Sequence, residues 1–443
     1  MSRRENQART DRTGTDQQHG ARGAPLAHRP EAATDRSATY RQVFASREYR
    51  YLVTSHAVSL LGDQALRVGL ALLVYHDSSS PLLTAFAYSL TFLPWVVAGP
   101  ALSGYADRLP RRTVLFAGNL ARAVVVALMT IPGLPVPVLL ALVFLAEAIA
   151  PPVDAAGFAV LPDLLEGDRY VVGVSLNQGI TQGSQILGFG LGGAIVAQVG
   201  PRAAFGADAA SFLVAALVAR FALRHPYPPA RAEGLTSFWA DTREGFRVVL
   251  GRRGPRTLLL IAWWGAAVLL VPEALAAPFV ARIAHGGETA TGWLLTALPA
   301  GMIVGMLVLG RFVRPSVRNR VMRPLAVVSA VPLIGFAFHP SLAVAMLLLV
   351  LSGMAWSFQV PLQGMFIEFI PHDARGRAFG VAAAGIQVWQ GLGILAGGAL
   401  AQIFGVTTAI TAAGITGVLV MLGLAMVRTP AVTPASPLPA PVT

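Results

Sequence analysis

The 443-residue chain has no cysteine and no lysine. The first absence excludes disulfides and thiolate metal sites. The second leaves arginine as the cation of every basic segment, and no G-x-x-x-x-G-K-[ST] loop is present to cradle a nucleotide, which argues against a self-contained ATP-driven pump. Charge is scarce, with 13% charged against 54% hydrophobic residues; a soluble domain needs more polar cover for its core than that. The eight histidines are dispersed without metal-ligand spacing, so neither a metal site nor a cofactor is expected, and His56, nearest to a span interior, is expected at a solvated interface. The first apolar run begins only near Tyr51, so no cleavable signal peptide is expected.

What the chain does have is long apolar runs. One bilayer crossing takes about 20 predominantly apolar residues, and the pattern predicts twelve, near 51–75, 82–103, 113–131, 136–155, 171–198, 202–222, 256–281, 290–310, 321–338, 342–368, 376–401 and 405–427. The polar residues 1–45 cannot bury a core and are expected to be disordered; residues 429–443, rich in Pro and Ala, read as a flexible tail. The formal charge of +12 is sorted by side. Arginines crowd the N-terminal tail, the Arg108/Arg111/Arg112 turn, the Arg220 to Arg256 linker, the Arg311 to Arg323 turn and Arg375/Arg377, whereas the alternate breaks hold only Arg202 and Arg282. By the positive-inside rule both termini are expected in the cytosol. Nucleic acid is not an expected partner.

An internal repeat of about two hundred residues is visible in the sequence. Gly104, Arg108 and Arg112 return 206 positions later as Gly310, Arg314 and Arg318, and Gly192-Gly193-Ala194 with Gly200 returns 205 positions later as Gly397-Gly398-Ala399 with Gly405. The expected architecture is therefore all-α and polytopic: 12 transmembrane helices in two pseudo-symmetric six-helix bundles, 46–222 and 256–428, joined by a polar cytosolic linker, 223–255. Two bundles that rock about a central site fit such a plan.

These features resemble the major facilitator superfamily over about residues 46–428. The turn Gly104-Tyr105-Ala106-Asp107-Arg108-Leu109-Pro110-Arg111-Arg112 is similar to that family's signature turn, with Pro110 where many members have Gly. Ser59-Leu60-Leu61-Gly62-Asp63 in the first span and Leu161-Pro162-Asp163 after the fourth resemble the bacterial drug antiporters and enterobactin-type siderophore exporters. The resemblance implies a conformational latch of Gly104, Asp107, Arg108 and Arg112 with Asp154 as partner; Arg111 is expected to serve only topology. Val313 replaces the acid in the second copy. Gly188-Phe189-Gly190-Leu191-Gly192-Gly193 keeps the glycines of the antiporter G-P-x-x-G-G ending and replaces its proline.

Charges inside spans cost at least about 2.5–3.5 kcal/mol by insertion scales and should face a cavity or a partner. Asp63 and Arg67, four residues apart on one helical face, read either as a structural ion pair or as a proton carrier beside its counter-ion. Arg122 and Glu147 can neutralise each other within the first bundle, Glu147 being a second proton-coupling candidate. Glu273, after Pro272, is the candidate of the second bundle. Asp208 and Glu368 lie closer to span ends, where snorkelling or capping explains them. Ser352, Trp356, Gln359 and Gln363 recur at helical spacing, as do Gln178, Gln182 and Gln185, and Gln387 with Gln390. They read as interhelical hydrogen bonding or as a cavity lining, the cavity candidates being Gln182, Trp263, Trp356, Gln359, Gln363, Gln387 and Trp389.

The expected function is proton-coupled efflux of a hydrophobic or amphipathic small molecule, drug or siderophore-like, by alternating access across a bacterial inner membrane. The expected partners are that substrate, protons and the lipid bilayer, with the chain acting as a monomer. Two alternatives stay open: an importer or facilitator of a metabolite, and a non-transporting polytopic sensor or lipid-modifying enzyme.

Overall fold

The computed structural model describes residues 39–95, 109–165, 168–223, 235–284, 287–371 and 374–427. Every regular element among them is helical. The crossings of the first half are α1 (Arg47–Ser78), α2 (beginning with Pro81–Ser89), α3 (Arg111–Leu128), α4 (Val136–Leu164), α5 (Asp168–Val199) and α6 (Pro201–Phe221). Those of the second half are α7 (Arg253–Ala274), α8 (Glu288–Phe312), α9 (Pro315–Ile334), α10 (Leu342–Phe369), α11 (Arg375–Phe404) and α12 (Val406–Met426). Among the described residues, nine helices are long and apolar enough to cross a membrane unaided. The other three are α2, described only in its first part, α3, which carries Arg111, Arg112 and Arg122, and α5, diluted with glycine and amide side chains. A charged or amide-rich crossing is stable where neighbouring helices cover it.

Proline explains two departures from continuous spans. α7 breaks at Leu270 and again at Leu275, continuing through Ala276–Phe279 into a π-helical turn, Val280–Ala284; Pro272 and Pro278 lack the N–H that would bond one turn back. α10 breaks between Trp356 and Gln359, because Pro361 cannot donate to the Ser357 carbonyl. The linker, expected to be a plain polar joint, contains a helix, Leu235–Leu250. Gly245 seats that helix so closely on α11 that a Cβ there would come within 2.9 Å of the Arg377 carbonyl.

The repeated Gly-Gly pairs organise the packing. Gly188 and Gly192 of α5 lie against α1, at Leu61, Gln64 and Ala65; Gly393 and Gly397 of α11 lie against α7, at Ala267 and Val271. The second glycine of each pair faces the other half: a Cβ on Gly193 would sit 2.7 Å from the Gly292 Cα of α8, and one on Gly398 would sit 2.4 Å from the Ala85 Cβ of α2. Absence of a side chain thus permits helix contact at backbone distance. Gly200 and Gly405, each with φ near +90°, make the α5–α6 and α11–α12 turns, a conformation costly for other residues. The halves are therefore seamed at the end of the molecule that bears these turns. The opposite end bears Arg111, Arg112 and Arg323.

Candidate functional site: a charged cavity in the first half

The cavity follows from helical spacing. His56, Ser59, Asp63, Gln64 and Arg67 step along one face of α1; Leu115, Asn119 and Arg122 do so on α3; Glu147, Ala150, Asp154, Gly157 and Leu161 do so on α4. Asn177 of α5, Val218 of α6, Trp95 on the chain that continues from Ser89 of α2, and Gln387 of α11 complete a space of about 190 Å³ open to water. Its lining runs from Arg67, midway along α1, to Leu52 near the start of that helix, the end where the arginines lie and opposite the glycine seam.

The central ion pair is not the one the sequence suggested. Asp63 accepts from Arg122 Nη2 at 3.1 Å, so the expected Asp63–Arg67 and Arg122–Glu147 pairings both give way to a bond between α1 and α3. Two guanidinium groups compete for one carboxylate, and Arg122 reaches it while its plane lies 3.9 Å over the Phe212 ring of α6. Arg67 turns toward the Gln64 amide at 3.5 Å and toward the Phe92 ring at 5.3 Å. The Arg122 side chain is only 6% exposed, and removing one partner of a pair so buried typically costs about 3–5 kcal/mol. Glu147, buried, is in electrostatic reach of Arg122 and Arg67 without a direct ion pair among the described residues. Asp154 lies on the same wall two turns away.

Glu273 stands apart from this cavity. Its carboxylate accepts from the Tyr88 hydroxyl of α2 at 2.5 Å, a bond that joins the two halves. Nearer the glycine turns, Arg282 donates to the Tyr75 hydroxyl at 2.6 Å and to the Ser79 carbonyl at 3.0 Å, and Ser80 donates to Gln402 at 2.9 Å. Polar closure and glycine seam therefore coincide.

Of the latch, Gly104, Asp107 and Arg108 lie outside the described residues. Arg112 donates to the Ala219 and Arg220 carbonyls, satisfying the negative end of α6, and does not bond Asp154. Arg111, expected to serve only topology, pairs with Asp163 at 2.8 Å and bonds the Ala159 carbonyl. In the second half Arg318 folds back on the Val313 and Gly310 carbonyls, while Arg323 bonds the Ala425 carbonyl near the end of α12.

Gln387 is the proposed lining residue that reaches the cavity. Trp263 donates to the Ala382 carbonyl at 3.0 Å and packs against Gly385; Trp356 stacks edge-on against Phe358, and Trp389 against Trp264. The break in α10 divides the Ser352–Gln363 stripe, leaving Ser352 buried, Gln359 half-buried and Gln363 exposed. Gln182 is half-buried in α5 with its amide nitrogen unpartnered. Three residues were misjudged or passed over. His56, expected at a solvated interface, and Asn177 line the cavity, and both stand in helical register with residues already singled out. Asp208, expected to be explained by a span end, is fully buried against Gly62.

A family model described as the Major Facilitator Superfamily matches residues 52–275 and again 273–443. The chain belongs to the major facilitator superfamily. Within it, the chain is 26% identical over 396 residues to the uncharacterized MFS-type transporter YfiS of Bacillus subtilis, covering 84% of this chain and 91% of that one. It is 28% identical over 393 residues to the multidrug efflux pump Tap of Mycobacterium tuberculosis, covering 84% and 90%. Among solved structures, a bacterial homologue of the human lysosomal transporter Spinster, inward-facing and unoccupied, superposes with a TM-score of 0.69 at 13% identity over 88% of this chain and 97% of that one. The nucleoside transporter NupG superposes with a TM-score of 0.67 at 13% identity over 85% and 99%. The superfamily assignment makes the chain a membrane transporter and removes the enzyme alternative.

Proposed function

We propose that this transporter exports a hydrophobic or amphipathic small molecule against inward proton flow, by rocking its two halves about the cavity described above. The observation that carries the reading is the ionisable cluster on the cavity wall: Asp63 held by Arg122, with Glu147 and Asp154 beside it and no ion-pair partner among the described residues. Carboxylates placed where water and substrate meet exchange protons as the cavity changes the side to which it opens. In the orientation seen here the glycine seam and the Tyr88–Glu273 bond close one end. By the arginine distribution that end faces outward from a bacterial inner membrane, both termini being cytosolic. The cavity then opens to the cytosol, ready to load. Protonation of Asp63 or Glu147 weakens substrate binding, and Glu273 links its own charge to closure of the outer end. The Arg112 contact with α6 and the signature turn hold the resting state, and the chain acts as a monomer. Similarity to a multidrug efflux pump supports export; Phe189 in place of the antiporter proline keeps import as the rival.

Efflux of ethidium and of siderophore-like compounds from cells expressing the chain, with and without a protonophore, tests the reading. Protonophore-sensitive efflux that disappears in Asp63→Asn is the expected result. Net uptake would establish the importer, and efflux indifferent to the protonophore would remove proton coupling.

A further inference from the structure

Asp208 of α6 is the buried acid that the mechanism above does not use. It is 0% exposed, and its Oδ2 has no hydrogen-bond partner. Its Oδ1 lies 3.2 Å from the Ser211 hydroxyl, whose oxygen is also 2.8 Å from the Asp208 carbonyl. One hydroxyl carries one proton. Donated to the nearer carbonyl, it leaves the Ser211 oxygen free to accept from a protonated Asp208, so the site suits a neutral carboxylic acid better than a carboxylate. A carboxylate that deep with one oxygen unpartnered costs several kcal/mol, a cost that the neutral acid avoids. Gly62 makes room for it: a Cβ there would stand 2.4 Å from Asp208 Oδ1. Gly62 is the residue before Asp63.

The matching orphan is on Arg122. While Nη2 holds Asp63 at 3.1 Å, Nε is buried with no partner, and the guanidinium rests on Phe212, one turn along α6 from Asp208 and on the same face. An unused buried donor and an unused buried acceptor therefore lie in one charge cluster, and the two groups are in electrostatic reach of each other. The other ionisable neighbours are His56, Asp63 and Arg67 on α1 and Glu147 and Asp154 on α4; α5 carries none between Tyr170 and Val199.

We propose that Arg122 is shared between two acids, Asp63 and Asp208, and that Asp208 holds a proton in the state described here. When Arg122 turns about its Phe212 platform from Asp63 to Asp208, the proton of Asp208 passes to Asp63 on the cavity wall, so that Asp208 becomes the paired carboxylate and Asp63 the neutral acid. One acid is always paired and the other always neutral, so no bare charge is buried at either step. The unit moves one proton between the dry α1–α6 seam and the water-lined face of α1, where Asp63 meets the cavity. It deepens the proton-coupled reading and rests on it, but its test reads protonation without any substrate.

Infrared spectroscopy of the purified full-length protein in H₂O and D₂O gives that readout through the carbonyl stretch of protonated carboxyl groups. Wild type at neutral pH shows a deuterium-sensitive band that Asp208→Asn, an isostere of the protonated acid, removes. Asp63→Asn, which frees Arg122, removes the same band because Asp208 becomes ionised. Arg122→Gln removes the cation that the two acids share, so the Asp208 band persists there and no longer disappears when Asp63→Asn is added. Retention of the Asp208 band in Asp63→Asn overturns the proposal and leaves Asp208 a fixed structural acid, as does absence of an Asp208-dependent band in wild type. Either failure leaves protonophore-sensitive efflux untouched, so the proton-coupled reading stands or falls separately.

Discussion

The two halves share one scaffold and divide the charge unequally. Gly192 and Gly397 pack on equivalent turns of α1 and α7, and Gly193 and Gly398 each meet the opposite half. The same register that matches Ala65 to Val271 places Leu269 where the first half has Asp63, and the 206-residue step carries Arg122 to Val328. Leu269 is 1% exposed in an apolar cluster, while tryptophans and Met421 fill the second half nearer the arginine end. The spacing shared by the two copies thus carries the packing, while the Asp63–Arg122 pair is present in the first copy only. Among the described residues the second half contributes Gln387 to the cavity wall, its side of the seam, and Glu273, which bonds Tyr88.

Moving charge into the second half should break it. Leu269→Asp places a carboxylate in an apolar cluster with no cation at the equivalent of Arg122, a cost of several kcal/mol; loss of folded protein in fluorescence-detected size exclusion is expected, whereas Leu269→Met remains folded. Next in size, Gly193→Leu drives a side chain into the Gly292 backbone and should lower efflux at least about tenfold in protein that still inserts. Gly179→Ala, with open space around its Cβ, leaves efflux unchanged.

The glycine pairs were legible in the sequence as a repeat, but the seam was not: Gly188, Gly192, Gly393 and Gly397 pack inside each half, and it is the next residues, Gly193 and Gly398, that meet the other half. The crossings, too, could be read from hydropathy, and the arginine turns from their separation by side. The ion pair was not. Spacing along α1 proposes Asp63–Arg67, but which of two arginines wins a carboxylate depends on the rotation of α3 against α1, and sequence periodicity carries no information across helices. Asp208 was missed for a related reason: Gly62 is what lets α6 bury it, and that contact joins residues 146 positions apart. The tryptophans were read as cavity surfaces because aromatic rings serve packing and binding alike, and here they pack.

Smaller effects sharpen the division. Tyr88→Phe removes one charge-assisted hydrogen bond between the halves, worth about 1.5–3 kcal/mol. It should shift the resting population toward the outward-open form by about tenfold or more, read from spin-label distances across the glycine end. Gln387→Ala, on the cavity wall contributed by the second half, should alter relative rates among dyes by about threefold or less, with protonophore sensitivity intact.

The central claim, that proton coupling belongs to the charged first half, is met most directly by ethidium accumulation in proteoliposomes under an imposed pH gradient, comparing wild type with Asp63→Asn and Trp389→Phe. The account predicts gradient-driven accumulation in wild type and in Trp389→Phe and none in Asp63→Asn. Accumulation in Asp63→Asn equal to wild type, or accumulation that persists after the gradient is collapsed, would contradict it.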